Sequence, residues 1–331
     1  MKKLLPALSL PPSPAADSRQ LAEMLRQVTD WPALVTLINA HGVIALAAAN
    51  ITAASLTHMV PPEQMAMLRN GLLQSIVRNT WLAQQWEETN RILLAGGIKH
   101  ILLKGMVLEH TVYGAAGLRQ MSDCDMLVEH RDARRAWNLL CSHGFRPLEM
   151  KSPLHRRIMF STRHHLPALV KNGYPVEIHT EHNLPLLTAD PEHGLLHHCE
   201  QFTVNGVPAL KLKDPLHIAF LQQHFNHHAS NGECQLRTFT DLCLLDPGTP
   251  RIFPQAFMCN PIQTHLMAFR KAAWCHTLSS MPPLTKLLFI AGDIFPTMAW
   301  MKKRYRCSTP QAILKYPARA GKLLWLLQGT V

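Results

Sequence analysis

Arg119-Gln120-Met121-Ser122-Asp123-Cys124-Asp125-Met126-Leu127-Val128 decides how the rest of the chain is read. The apolar end of this run, bounded by polar turns, predicts a short β-strand over residues 124–128. Side chains alternate along a strand, so Asp123 and Asp125 point one way and Cys124, Met126 and Val128 the other. Two carboxylates packed on one face repel unless a cation sits between them. Hard oxygen ligands at that spacing suit Mg²⁺. Taken alone, Ser-Asp-x-Asp is equally a turn or a helix cap, so its surroundings matter.

Upstream, Gly96-Gly97 ends a helix and His100-Ile101-Leu102-Leu103 predicts a buried strand. Lys104-Gly105 follows, then a helix from Met106 to about Tyr113. A glycine at a strand-to-helix turn lets backbone N–H groups approach a phosphate, and Lys104 stands beside it. Arg119 offers a planar fork to a triphosphate, or orders its own loop. Ser122 joins the nucleotide-binding candidates, with a bond to the loop backbone as its alternative. Downstream, a helix over 132–143 ends at Gly144, and residues 145–149 form a strand. Segments 165–171 and 175–179 are strands joined by the hairpin turn Asn172-Gly173. The second carries Glu177, a third carboxylate that converges with Asp123 and Asp125 if the two strands pair. His179 lies on the same strand face as Glu177, where it orients an acceptor, tunes that carboxylate or is a hydrogen-bonded structural histidine.

The flanks read differently. Residues 1–17 are rich in Pro, Ser and Ala and predict a flexible arm. From 18 to about 50 the pattern is helical, with Asp30 capping a helix that begins at Trp31-Pro32. Pro61-Pro62 breaks the chain, and residues 63–94 are one long helix or two stacked ones. Beyond Pro191 helices are expected at about 192–201, 214–229 and 234–246, then fragments broken by prolines over 250–331. The expected class is α+β: a small mixed β-sheet core at 96–185 between helical regions at 18–95 and 186–331.

Composition narrows the function classes. Of 331 residues 47% are apolar and 17% charged, which excludes an intrinsically disordered chain. No apolar stretch reaches about 18 residues, so no membrane span is expected. Two prolines close the apolar run after Lys2-Lys3 early, which predicts a cytoplasmic N-terminus and not a secretory signal. The net charge of +11 favours polyanions or phosphate-bearing ligands, or reflects solubility alone. The basic run Lys302-Lys303-Arg304-Tyr305-Arg306 suits an acidic partner or a solvated face. Eight cysteines form no Cys-x-x-Cys pair, which points to reduced thiols. Cys124 lies between two aspartates that raise its pKa, which argues against a nucleophile. Histidines 164, 165, 179, 182, 197, 198, 224, 227 and 228 invite a zinc hypothesis, and His224 and His228 share a helix face. Without His-Glu-x-x-His or a cysteine pair, structural histidines are the plainer account. Asp241 is expected to pair with Arg237 four residues back.

Leu102, Leu103, Lys104, Gly105, Leu108, Tyr113, Gly117, Leu118, Arg119, Asp123, Asp125, Leu127, Val128, Gly144, Phe145, Val176, Glu177 and His179 together resemble the uncharacterised nucleotidyltransferase family of the DNA polymerase beta-like superfamily. The likeness spans roughly residues 20–250; Met106 stands where the wider superfamily has Ser or Gly after the turn glycine. It implies a metal-dependent transfer in which Asp123, Asp125 and Glu177 hold Mg²⁺ and Lys104, Gly105, Arg119 and Ser122 hold a nucleoside triphosphate such as ATP. A nucleoside monophosphate would pass to a hydroxyl of an unidentified acceptor (a small molecule, sugar, peptide or RNA) with release of pyrophosphate. Alternatives on the same fold are a non-catalytic nucleotide- or partner-binding module and a toxin-like nucleotidyltransferase acting on RNA.

Overall fold

The computed structural model describes residues 3–13, 18–161, 165–180, 195–230, 235–246, 274, 278 and 281–327. Helices α1 (Leu4–Ser9), α2 (Ser18–Arg26), α3 (Trp31–Ala40), α4 (Ile44–Ala53) and α5 (Pro62–Ala95) come first. Strand β1 (His100–Leu102), α6 (Lys104–Thr111), β2 (Cys124–Val128), α7 (His130–Ser142), β3 (Arg146–Pro147), α8 (Pro153–Ser161), β4 (Leu169–Lys171) and β5 (Tyr174–Thr180) follow. The hairpin β6 (Cys199–Val204) and β7 (Val207–Leu212) leads to α9 (Asp214–Ser230) and α10 (Leu236–Leu245). Helices α11 (Pro283–Ile294), α12 (Met298–Tyr305) and α13 (Thr309–Leu327) complete the described chain. The class is mixed α+β, with helices at both ends of a seven-stranded sheet.

Local chemistry accounts for several boundaries. The Asp30 carboxylate accepts the Ala33 N–H at 2.9 Å and starts α3. Pro62 occupies the first turn of α5, which runs unbroken to Ala95. Asn172 (φ 54°) and Gly173 (φ 86°) both take positive φ in the turn from β4 to β5, as a tight hairpin needs.

The strand order is β3-β4-β5-β2-β1-β7-β6. Strand β2 pairs antiparallel with β1 and parallel with β5, in a register that sets Asp125 opposite Glu177. One face of this centre carries Cys124, Met126, Val128, Val176 and Ile178, packed with Leu82, Trp86 and Leu93 of α5 and Ala133, Ala136 and Leu140 of α7. The other carries Ile101, Leu127 and Leu212, packed with Phe220 of α9. Asp125 and Glu177 belong to this second face by alternation. A further core joins α1 to α4 with Leu108, Tyr113 and Leu118 and with residues of α9 and α10.

Several expectations are corrected. The supposed arm contains α1, whose Leu4, Leu5 and Leu8 are at most 1% exposed. Their three- and four-residue spacing makes an apolar face that packs on α4, ahead of Pro11-Pro12. The helix expected over 192–201 is instead a 3₁₀ turn (Leu195–His198) leading into β6. The region expected to be helical from 186 onward thus supplies two strands, and β7 pairs with β1. The expected strand at 145–149 shortens to β3 and that at 165–171 to β4, with His165 bridging His179. His164, His182, Cys234, Cys259, Cys275 and most of 250–280 lie outside the described residues.

Candidate active site

Parallel pairing of β2 and β5 brings together two acidic groups written 52 positions apart, Asp125 and Glu177. His179, two residues on along the same face, joins them. Ligand atoms of Asp125, Glu177 and His179 all lie within 4.8 Å of one another. Lys104 completes the cluster from the turn after β1. Its Nζ is 2.6 Å from Asp125 Oδ1, and His179 Nε2 approaches the same oxygen at 2.7 Å. His179 Nε2 is 3.7 Å from Glu177 Oε2. Lys104 takes φ 48°, a left-handed conformation that a lysine seldom adopts. Such outliers concentrate where function over-determines the backbone.

The electrostatics follow from this packing. Burial would raise the Asp125 carboxyl, but Lys104 and then His179 outweigh it and hold the group well below the usual carboxylate range. Burial, and then the negative charge of Asp125, push Glu177 up to about 7. Burial and the neighbouring Lys104 lower His179 to about 4, so the ring is neutral near pH 7. Asp123, just before β2, is raised by burial and then by Asp125. The Cys124 thiol is raised by burial first and by both aspartates second, in the direction expected of an inert thiol.

The expected residues therefore divide. Asp125, Glu177 and Lys104 converge. Asp123 bears on Asp125 and Glu177 through its charge, while its carboxylate is outside the tight group and accepts from the Ser122 hydroxyl at 3.1 Å. Ser122 is exposed at the rim. Gly105 is hemmed in: a Cβ there would run into the Arg119 guanidinium and come within 2.8 Å of Met121. Close packing thus explains this glycine.

Arg119 binds inside the protein. Its Nε and Nη2 donate to the two oxygens of the fully buried Asp241 at 3.0 and 2.7 Å, and Tyr113 Oη donates to the same carboxylate at 2.7 Å. Asp241 therefore pairs with Arg119 and not with Arg237, which donates instead to the Gln120 carbonyl at 2.7 Å. On the other side Glu109 accepts the Gly117 N–H at 2.6 Å and the Arg119 N–H at 3.2 Å. Asn79 of α5 donates to Glu109 and to the Arg119 carbonyl, each at 2.8 Å. Gly117 (φ 79°) lies so close to α5 that a Cβ would stand 2.8 Å from the Ile76 backbone nitrogen. The loop that delivers Asp123 and Asp125 is thus fixed at both walls.

Sequence reasoning missed the wall supplied by α9. The Phe220 ring centroid is 5.9 Å from Lys104 Nζ and 6.0 Å from the His179 ring. His224 is pushed down to about 2 by burial and then by Lys104, which puts it among the charges of the cluster. Its spacing of four from Phe220 on one helix face was the available signal.

Residues 27–260 match the uncharacterised nucleotidyltransferase family. The chain belongs to that family. The chain is also similar to the crystal structure of an antigenic nucleotidyltransferase-like protein from Paracoccidioides brasiliensis, at 13% identity and a TM-score of 0.32, over 64% of this chain and 91% of that one. None of the curated proteins matches it.

Proposed function

We propose that the protein transfers a nucleoside monophosphate from a nucleoside triphosphate to an acceptor hydroxyl and releases pyrophosphate. The observation that carries this reading is the convergence of Asp125, Glu177 and His179 on one buried face of the sheet. Two carboxylates and an imidazole within such reach suit a divalent cation, Mg²⁺ in the simplest case. A cation bound there would draw charge from the phosphoryl oxygens and ease ionisation of the acceptor hydroxyl.

The protein's own groups have separable tasks. Asp125, kept ionised by Lys104, is the permanent negative charge of the site. Glu177 is the second carboxylate of the site: it either holds the cation or, left unligated, takes the hydroxyl proton as that oxygen attacks the α-phosphorus. The bond from the α-phosphorus to its bridging oxygen breaks, and its electrons leave with pyrophosphate. The Lys104 ammonium is the group at hand for triphosphate oxygens, with Ser122 and Asp123 at the rim and Arg119 acting through the loop it holds. A net charge of +11 favours an anionic acceptor such as RNA.

Purified protein with each labelled triphosphate, a divalent cation and bulk tRNA tests the reading. Pyrophosphate release is expected, falling at least about 100-fold in Asp125→Ala, the order of a lost electrostatic contribution at a reacting centre. Nucleotide binding without release would replace the transferase with a binding module. Label on tRNA would identify RNA as the acceptor.

A further inference from the structure

The four most exposed large apolar side chains among the described residues are Leu314, Leu284, Phe295 and Leu287, at 76, 70, 66 and 65%. Leu284 and Leu287 lie on α11, Phe295 closes that helix and Leu314 lies on α13, all beyond the residues 27–260 that match the family. Leu284, Leu287 and Phe295 are spaced three and eight apart, so they form one ridge along α11. Another side of α11 is already engaged: Phe289 meets the His155 ring of α8 edge-on at 4.9 Å, and Gly292 lies against the same ring. The polar groups inside this unit are partnered as well. Buried Asp293 holds Lys151 and accepts the Trp274 ring N–H, the latter at 2.7 Å. Arg319 Nε donates to the Asp293 carbonyl at 2.6 Å, and the Tyr316 hydroxyl to the Pro296 carbonyl at 2.7 Å. The ridge is therefore left in water by helices whose interior is satisfied. Charge is as uneven as exposure. Asp293 is the only acid in the sequence from 281 to 327, whereas Lys302, Lys303, Arg304, Arg306 and Lys315 are all exposed. Apolar and basic groups interleave, with Tyr305 between Arg304 and Arg306 and Leu314 beside Lys315.

We propose that α11 and α12 form a docking face for an anionic lipid bilayer, with Leu284, Leu287 and Phe295 entering the boundary between headgroups and acyl chains and Lys302, Lys303 and Arg304 meeting the lipid phosphates. Bulky apolar side chains flanked by lysine and arginine are what holds a helix in the plane of such an interface. Each basic side chain near an anionic leaflet adds about fivefold in affinity. An RNA would engage the basic run and leave the leucine ridge in water, so the two features together favour lipid. Among the described residues no single helix is long and apolar enough to cross a membrane, which suits a contact at the surface. The proposal uses none of the residues of the transferase site and stands or falls apart from it.

The full chain is sedimented with vesicles of phosphatidylcholine and phosphatidylglycerol in equal parts, with pure phosphatidylcholine vesicles alongside and polyuridylate in a separate titration. Binding to the anionic vesicles is expected to exceed binding to the neutral ones by at least about 10-fold and to weaken as salt is raised. Leu284→Ser with Leu287→Ser should weaken it by at least about 10-fold. Lys302→Gln, Lys303→Gln and Arg304→Gln together should weaken it by about 100-fold. All five side chains are exposed, so both variants should melt where the parent does, and Phe295→Ser serves if the leucine pair does not fold. Equal binding to neutral vesicles, binding that survives either variant, or tighter binding to polyuridylate than to anionic vesicles overturns the proposal, the last in favour of RNA. Retention through alkaline carbonate extraction would replace the docking face with a broken span of α11 and α12, which are bent 55° from each other. A lipid-free dimer that the leucine variant dissociates would assign the ridge to a second copy of the chain.

Discussion

His217 of α9 is completely buried, and among the described residues neither ring nitrogen has a hydrogen-bond partner. Burial, and then Lys211, lower it to about 4. The unfolded chain protonates this histidine below its ordinary 6.5, while the folded chain resists until about 4. Its contribution to stability is therefore present above pH 6.5 and is lost as pH falls towards 4. His217→Phe should flatten that part of the stability curve and raise stability near neutrality by about 1 kcal/mol, since the unmet polar atoms are gone. Parallel acid limbs in thermal melts of the two proteins would refute this. Gly105→Ala sets a methyl against Met121 and Arg119 and should cost about 1–3 kcal/mol in denaturant unfolding. At this scale Asp125 and Glu177 were legible, because strand alternation fixes the face of a side chain from sequence alone. The bond from Arg119 to Asp241 was not, since its partners are 122 positions apart and a nearer acidic–basic pair on one helix looked sufficient.

The loop between α6 and β2 behaves as a fixed element because side chains from three helices bind it. Asp241 of α10 is its innermost anchor, meeting Arg119 and Tyr113. Asp241→Asn leaves the Arg119 guanidinium buried without a counter-charge and should cost about 3–5 kcal/mol in chemical denaturation. A loss under 1 kcal/mol would mean that the loop is held elsewhere. Helix α3 was legible because its Asp30 cap, Pro32 and apolar spacing agree, and the helical character of α5 from Pro61-Pro62 and apolar spacing, though not that it is one helix and not two. The β6–β7 hairpin was not, although Asn205-Gly206 repeats the dipeptide that marks the turn at 172–173. Its six-residue strands alternate weakly, and Pro208 resembles a break between helices when it is in fact a strand residue opposite Thr203.

The site stands where the sheet's second face meets the core that joins α1 to α4 with α9 and α10, so the N-terminal helices and the chemistry share a foundation. Leu8 is wholly enclosed in that core, and Leu8→Ala should lose about 2–5 kcal/mol, read as a lowered melting temperature with no change in net charge. An unchanged melt would return α1 to the status of a dispensable arm. The α+β class was legible from the shift between helical and strand periods, while the number of strands was not, because β7 reaches β1 across more than a hundred residues of chain.

That long return has a consequence during synthesis. A ribosome makes β1, β2 and β5 well before β7, so the growing polypeptide carries a central strand with one bare flank until residue 212 has emerged. Unpaired main-chain groups of this sort recruit whatever strand is nearest. A message cut short before the hairpin would thus yield a sticky fragment prone to aggregate, and holding that fragment apart falls to chaperones.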